Sequence, residues 1–121
     1  MNYDKLVFTE TASTGIVLTV DFSGIGELTV ESESAGEVTW RRLTAPAKDV
    51  LQAKLVAAGF DSWQSEESLP VCWGLELFRN GKLAKHISGC NAVPEILRSI
   101  LELCIALAEN RSNHKLVQSA N

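Results

Sequence analysis

Cys90 and His86 are the residues of this chain whose types come nearest to a catalytic pair. Cys90 lies just upstream of Pro94, where a helix is expected to start, and the free amides and dipole of a helix start lower a thiol pKa. His86 precedes it on the adjoining strand, and Asn91 would complete a corner able to hold a small ligand. Strand geometry weighs against the pair: residues four apart point the same way but sit about 13 Å from each other. Only a sharp turn at Gly89 would join them. Glu66 and Glu67 are adjacent carboxylates in a polar loop, where exposed acids keep ordinary pKa values and do little acid–base work. His114 falls in the polar C-terminal segment.

The sequence has no glycine-rich phosphate loop, no HExxH and no nucleophile elbow. Cys72, Cys90 and Cys104 are an odd number at wide spacings, without a C-x-x-C, which argues against both a structural zinc site and a disulfide framework. No catalytic residue, metal or cofactor is assigned, and a non-enzyme is expected.

Charge is distributed unevenly. Net charge is −4. Residues 1–40 carry seven acids (Asp4, Glu10, Asp21, Glu27, Glu31, Glu33, Glu37) against one base, Lys5, whereas residues 41–121 carry ten bases against eight acids. An acidic first third argues against nucleic acid as a partner, because phosphate binding needs clustered Lys and Arg. The N-terminus lacks a basic segment followed by an apolar core, so no signal peptide is read and a cytoplasmic location is expected. With 121 residues, 45% of them hydrophobic and 21% charged, the chain should fold as one soluble domain over 1–121.

The elements that would position these residues follow from periodicity. Lys5 to Ala12 reads as a strand. Ile16 to Phe22 alternates with period two, as does Glu27 to Glu33, and Glu37 to Leu43 carries Val38 and Trp40. This meander is expected to place apolar residues on one face and Thr, Asp and Glu on the other, where the acids would repel one another. Thr44 or Ala45 caps a helix with Pro46 in its first turn; Val50, Leu51, Leu55 and Ala58 form its apolar side, and Gly59 ends it with Phe60 folding back.

Asn80-Gly81 between two β-rich runs predicts a type I′ hairpin. Counting outward pairs Phe78 with Leu83, Glu76 with Lys85, Leu75 with His86 and Trp73 with Ser88. Apolar residues on both faces predict a hairpin at the centre of its sheet. A long helix from Pro94 follows, with an apolar surface wide enough to be largely buried, too short and too regularly polar for a membrane span. Residues 110–121 read as a frayed polar tail. The order is ββββ-α-ββ-α: an α+β domain with a mainly antiparallel sheet and two helices packed on one face.

The C-terminal half resembles small bacterial α+β proteins of the immunity-protein type. The likeness is carried by Leu55-Val-Ala-Ala-Gly-Phe60-Asp-Ser-Trp63, Trp73-Gly-Leu-Glu-Leu77 and Gly89-Cys-Asn91-Ala-Val-Pro94. It implies the fold more than the function, and the acidic meander falls outside it; the small stand-alone domain, the absence of catalytic motifs and the acidic module lead to the expectation of an immunity protein that neutralises a toxin domain, the acids masking a basic active site and speeding association. The expected partner-binding residues are Asp21, Glu27, Glu31, Glu33 and Glu37, with Trp63 as an anchor. A homo-oligomer pairing its acidic sheets is a further state, disfavoured by self-repulsion, and a ligand-binding or thiol-dependent domain near Cys90 is the competing function.

Overall fold

Six stretches of period-two sequence form strands: β1 Lys5–Glu10, β2 Ile16–Asp21, β3 Glu27–Ser32, β4 Glu37–Arg42, β5 Trp73–Arg79 and β6 Lys82–Gly89. Helix α1, Ala45–Ala58, and a 3-10 turn, Phe60–Ser62, separate β4 from β5, and helix α2, Glu95–Ser119, follows β6. This computed structural model describes residues 3–11, 15–24, 26–32, 36–65, 71–90 and 92–119, excluding the side chains of residue 37 and of residues 109–119. Glu33, Glu66, Glu67, Asn91 and the side chain of His114 lie outside the described residues.

The fold is α+β in the expected order, with every strand pair antiparallel. Strand order is β4-β3-β2-β1-β5-β6. The first strand lies at the centre and joins the meander to the hairpin: Leu6 faces Val20 and Leu77, and Phe8 faces Leu18 and Leu75. These residues and Leu28, Trp73 and Ile87 are all nearly inaccessible, forming one core with Leu51 and Leu55 of α1 and Leu97, Ile100, Leu101, Cys104 and Ala108 of α2. Each such aliphatic side chain stabilises the fold by about 1.5–3 kcal/mol. Both helices cover this face of the sheet.

Local signals set the helix ends. The Thr44 hydroxyl accepts from the Ala47 amide at 3.2 Å, and Gly59 leaves α1 in the left-handed region at φ 64°. The buried side of α1 is narrower than its composition suggests, since Val50 is exposed. Helix α2 begins at Glu95, one residue after Pro94, whose carbonyl accepts the Arg98 amide at 2.8 Å. Among its described side chains it buries a single stripe and leaves Ile96 exposed, so this part of the helix is amphipathic and not largely buried. Its helical backbone runs on to Ser119, through most of the segment read as a polar tail.

The hairpin departs from the sequence reading in two ways. Asn80 and Gly81 adopt φ 54° and 75°, as a type I′ turn requires, and Phe78 does pair with Leu83. The register then slips at a bulge between Leu77 and Phe78, so Leu75 faces Ile87, Glu76 faces His86 and Trp73 faces Gly89. That one-residue slip delivers Ile87 to the core and moves His86 to the opposite face, since side chains alternate with period two. Nor is the hairpin central: β6 is an edge strand, and only β5 is flanked on both sides. Its mixed apolar pattern reflects the bulge, not burial on two faces.

Cys104 offers a direct check on the helix–sheet layer. It is fully buried in the α2 stripe, and desolvation pushes its thiol up to about 12. Alkylation of the native protein at neutral pH, read by mass spectrometry, is expected to leave Cys104 unmodified until the domain unfolds. Labelling of Cys104 in the folded state would show that α2 lifts from the sheet.

Candidate partner-binding face

Because both helices lie on one side, the other side of the six-stranded sheet carries no covering element among the described residues. The register arranges this open face in three rows. One runs Arg42, Glu27, Asp21, Lys5, Phe78, Leu83; the next Trp40, Thr29, Thr19, Val7, Glu76, His86; the third Val38, Glu31, Val17, Thr9, Gly74, Ser88. Four carboxylates, Asp21, Glu27, Glu31 and Glu76, therefore share the face with two cations.

Three of the expected acids come together here: Asp21 and Glu27 are direct cross-strand neighbours, and Glu31 lies two residues along β3. Glu37 does not join them. It pairs with Ser32, one register step from the Val38–Glu31 position, and so has the parity of the helix-covered face. Lys5 opposite Asp21 and Arg42 opposite Glu27 change the electrostatics from a uniformly acidic patch to two carboxylates bracketed by cations. The repulsion anticipated between the acids is thus partly neutralised. Asp21 is further held below the ordinary carboxylate range by the Ser23 hydroxyl donating to it, against slight desolvation, with the Ser23 amide at 3.0 Å and the Lys5 charge assisting. Lys5 also stands over the Phe78 ring, 5.6 Å from its centroid.

Strand β4 overturns the expectation that the meander turns all its apolar residues inward. Val38 and Trp40 point to the open face, 65% and 46% exposed, while Thr39 and Arg41 take the helix-side positions. Trp40 is the residue that sequence reasoning missed as a surface group. Its signal was the run Glu-Val-Thr-Trp-Arg-Arg, whose phase is ambiguous until pairing with β3 is known. Trp63, the expected anchor, is instead tied down: its indole N–H donates to the Ala58 carbonyl at 3.1 Å, and its ring meets Phe60 edge-on at 4.7 Å. It closes the end of α1 with only part of its surface available.

The Cys90 corner is joined to the segment before β5. The Cys72 thiol donates to the Cys90 carbonyl at 3.1 Å, and the Cys72 amide bonds Gly89 at 2.8 Å. Strand β6 stays extended through Gly89, so His86 remains about 13 Å along the strand from Cys90. His86 instead faces Glu76 and lies over Gly74, helping to line a 230 Å³ hollow on the open face. On the helix side, Ala92 and Val93 line a 310 Å³ cleft with Phe8, Ile16, Leu101 and Ile105. The corner thus adjoins an apolar cleft on one side, and the histidine belongs to the other. Among the described residues no group of His, Cys, Asp and Glu could hold a metal ion, and no helix is long and apolar enough to cross a membrane.

Compared with known proteins, the chain matches no family model, no curated protein and no solved structure.

Proposed function

We propose that this chain is a non-enzymatic binding protein that docks a protein partner on the open face of its sheet, acting in the cytoplasm as an immunity protein against a bacterial toxin domain. The observation that carries the reading is the bare sheet face itself, with Trp40 and Val38 exposed beside Glu31, Glu27 and Asp21. An aromatic anchor next to carboxylates is the composition of a binding hot spot for a basic surface, where apolar area gives affinity and charge gives on-rate and selectivity. A basic catalytic domain such as a nuclease fits that chemistry. Lys5 and Arg42 at the flanks would fix the partner's register by repelling misplaced cations.

The test is co-expression with the product of each adjacent gene, scored as rescue from toxicity, followed by binding measurements on the partner identified. Reversal of Glu27 and Glu31 to lysine is expected to slow association by about tenfold or more and to flatten its salt dependence. An unchanged association rate would remove the acidic part of the reading. A second reading, a small-ligand domain, is favoured by the apolar cleft beside the Cys90 corner. Saturable uptake of an apolar dye by the wild type, abolished by Ile105→Trp, would favour it over protein docking.

A further inference from the structure

We infer that Cys72 and Cys90 form a reversible dithiol–disulfide pair, an oxidation site that ties the segment entering β5 to the corner between β6 and α2. The sheet brings them together. Trp73 and Gly89 are the last facing pair of the β5–β6 ladder, so the next position outward holds Cys72 on one chain segment and Cys90 on the other. Facing residues of an antiparallel pair have Cα atoms about 4.5–5.5 Å apart, inside the range of about 4.4–6.8 Å that a disulfide spans. Contact continues past the ladder: the Cys72 amide bonds the Gly89 carbonyl at 2.8 Å, and the Cys72 thiol donates to the Cys90 carbonyl at 3.1 Å. A carbonyl oxygen is about 2.4 Å from its own Cα, which puts the Cys72 sulfur within about 5.5 Å of the Cys90 Cα. The remaining approach is a matter of side-chain rotation.

The backbone at Cys72 is held from both sides. The Thr11 amide donates to the Cys72 carbonyl at 2.9 Å, and the Thr11 hydroxyl reaches the Val71 and Cys72 carbonyls at 3.1 and 3.3 Å. The segment after β1 thus fixes one cysteine while the end of β6 carries the other, and the loop that a bridge would close is the hairpin already folded. Ends that folding has brought together favour this bridge over one between molecules. Access separates the three thiols: Cys72 and Cys90 are half-buried, whereas Cys104 is sealed beneath α2. An oxidant in solvent therefore meets the pair and not the third cysteine.

Hydrogen peroxide is the oxidant for which the step is written. The thiolate of one cysteine attacks a peroxide oxygen, the O–O bond breaks, a sulfenic acid forms, and the departing hydroxide takes the thiol proton to become water. The second cysteine then attacks the sulfenic sulfur; the S–S bond forms, the S–O bond breaks, and a second water leaves with the second thiol proton. Two thiols lose two electrons, and the peroxide is reduced to two waters. A small dithiol reverses the change by thiol–disulfide exchange, ending as a disulfide itself. Ala92 and Val93, which line the apolar cleft, follow Cys90 directly in the corner, so the bridge holds the edge of that cleft. Neither cysteine belongs to the docking residues proposed above, so the two readings stand or fall separately.

Treatment of the reduced, folded full chain with a small excess of hydrogen peroxide, read by intact mass and by peptide mapping without reductant, tests the assignment. The chain is expected to lose the mass of two hydrogens, to yield one linked peptide pair joining Cys72 to Cys90, and to regain its mass with dithiothreitol. Circular dichroism should stay unchanged throughout. Cys72→Ser and Cys90→Ser should each abolish the loss of two hydrogens, with the remaining partner thiol still open to alkylation. In the oxidised chain the Ala92 and Val93 amides should exchange with solvent more slowly than in the reduced one. A wild-type chain that keeps its mass, with both thiols alkylated afterwards, would overturn the proposal. So would a bridge to Cys104, a bridge between two chains, or one that forms only in urea.

Discussion

Phe60→Ala is expected to lower the unfolding free energy by about 3–5 kcal/mol, a large share of the 5–15 kcal/mol available to a domain of this size. Phe60 has no exposed surface, and it enters the core immediately after the left-handed Gly59. Its loss removes more than its own burial. Trp63 leans edge-on against the Phe60 ring while its indole N–H caps the Ala58 carbonyl, so truncation leaves a cavity and a loosened tryptophan at the end of α1. Urea unfolding followed by tryptophan fluorescence checks this, with the denaturant slope expected to stay near the wild-type value. A loss below about 1 kcal/mol would mean that the end of α1 is not anchored through this ring.

Trp40→Ala is expected to weaken partner binding by about 30-fold or more, the scale of a hot-spot tryptophan, while changing stability by less than about 1 kcal/mol. The two effects separate because Trp40 is 46% exposed on an edge strand and contributes little to the buried core. The loss should appear mainly as faster dissociation with unaltered salt dependence. Reversal of Glu27 and Glu31 should instead slow association. Titration calorimetry and kinetic binding at two salt concentrations distinguish these patterns. Full affinity in Trp40→Ala would move the docking site away from the open face.

Residues that act locally were legible in the chain. Period-two runs set the strands, Asn80-Gly81 accepted the positive φ of the hairpin turn, and Thr44 and Gly59 marked the ends of α1. Each of these depends on a few neighbouring residues, so its physics is present in a short window. The α+β order followed from them. The arrangement of the candidate face was legible only in part: Asp21, Glu27 and Glu31 shared a face because alternation and a short turn require it, whereas the register parity of Glu37 and the place of Trp63 at the end of α1 were settled by pairing and packing.

What tertiary structure decided was where long-range pairing placed these pieces. Central β1 reaches across the chain to β5, setting Lys5 beside Asp21 on one side and Phe78 on the other. No local pattern encodes that choice, since any apolar strand could have filled the gap. The phase of β4 was equally hidden, because Glu-Val-Thr-Trp-Arg-Arg offers an apolar and a polar set whichever way it turns. Pairing with β3 resolved it, sending Trp40 to the surface and Arg41 toward the helices. The bulge in β5–β6 resolved His86 in the same way. Sequence alone determined the elements and the acidic composition of the first strands. Only the packed sheet determined which side chains share a face, because a one-residue change of register exchanges the two faces while leaving every strand intact.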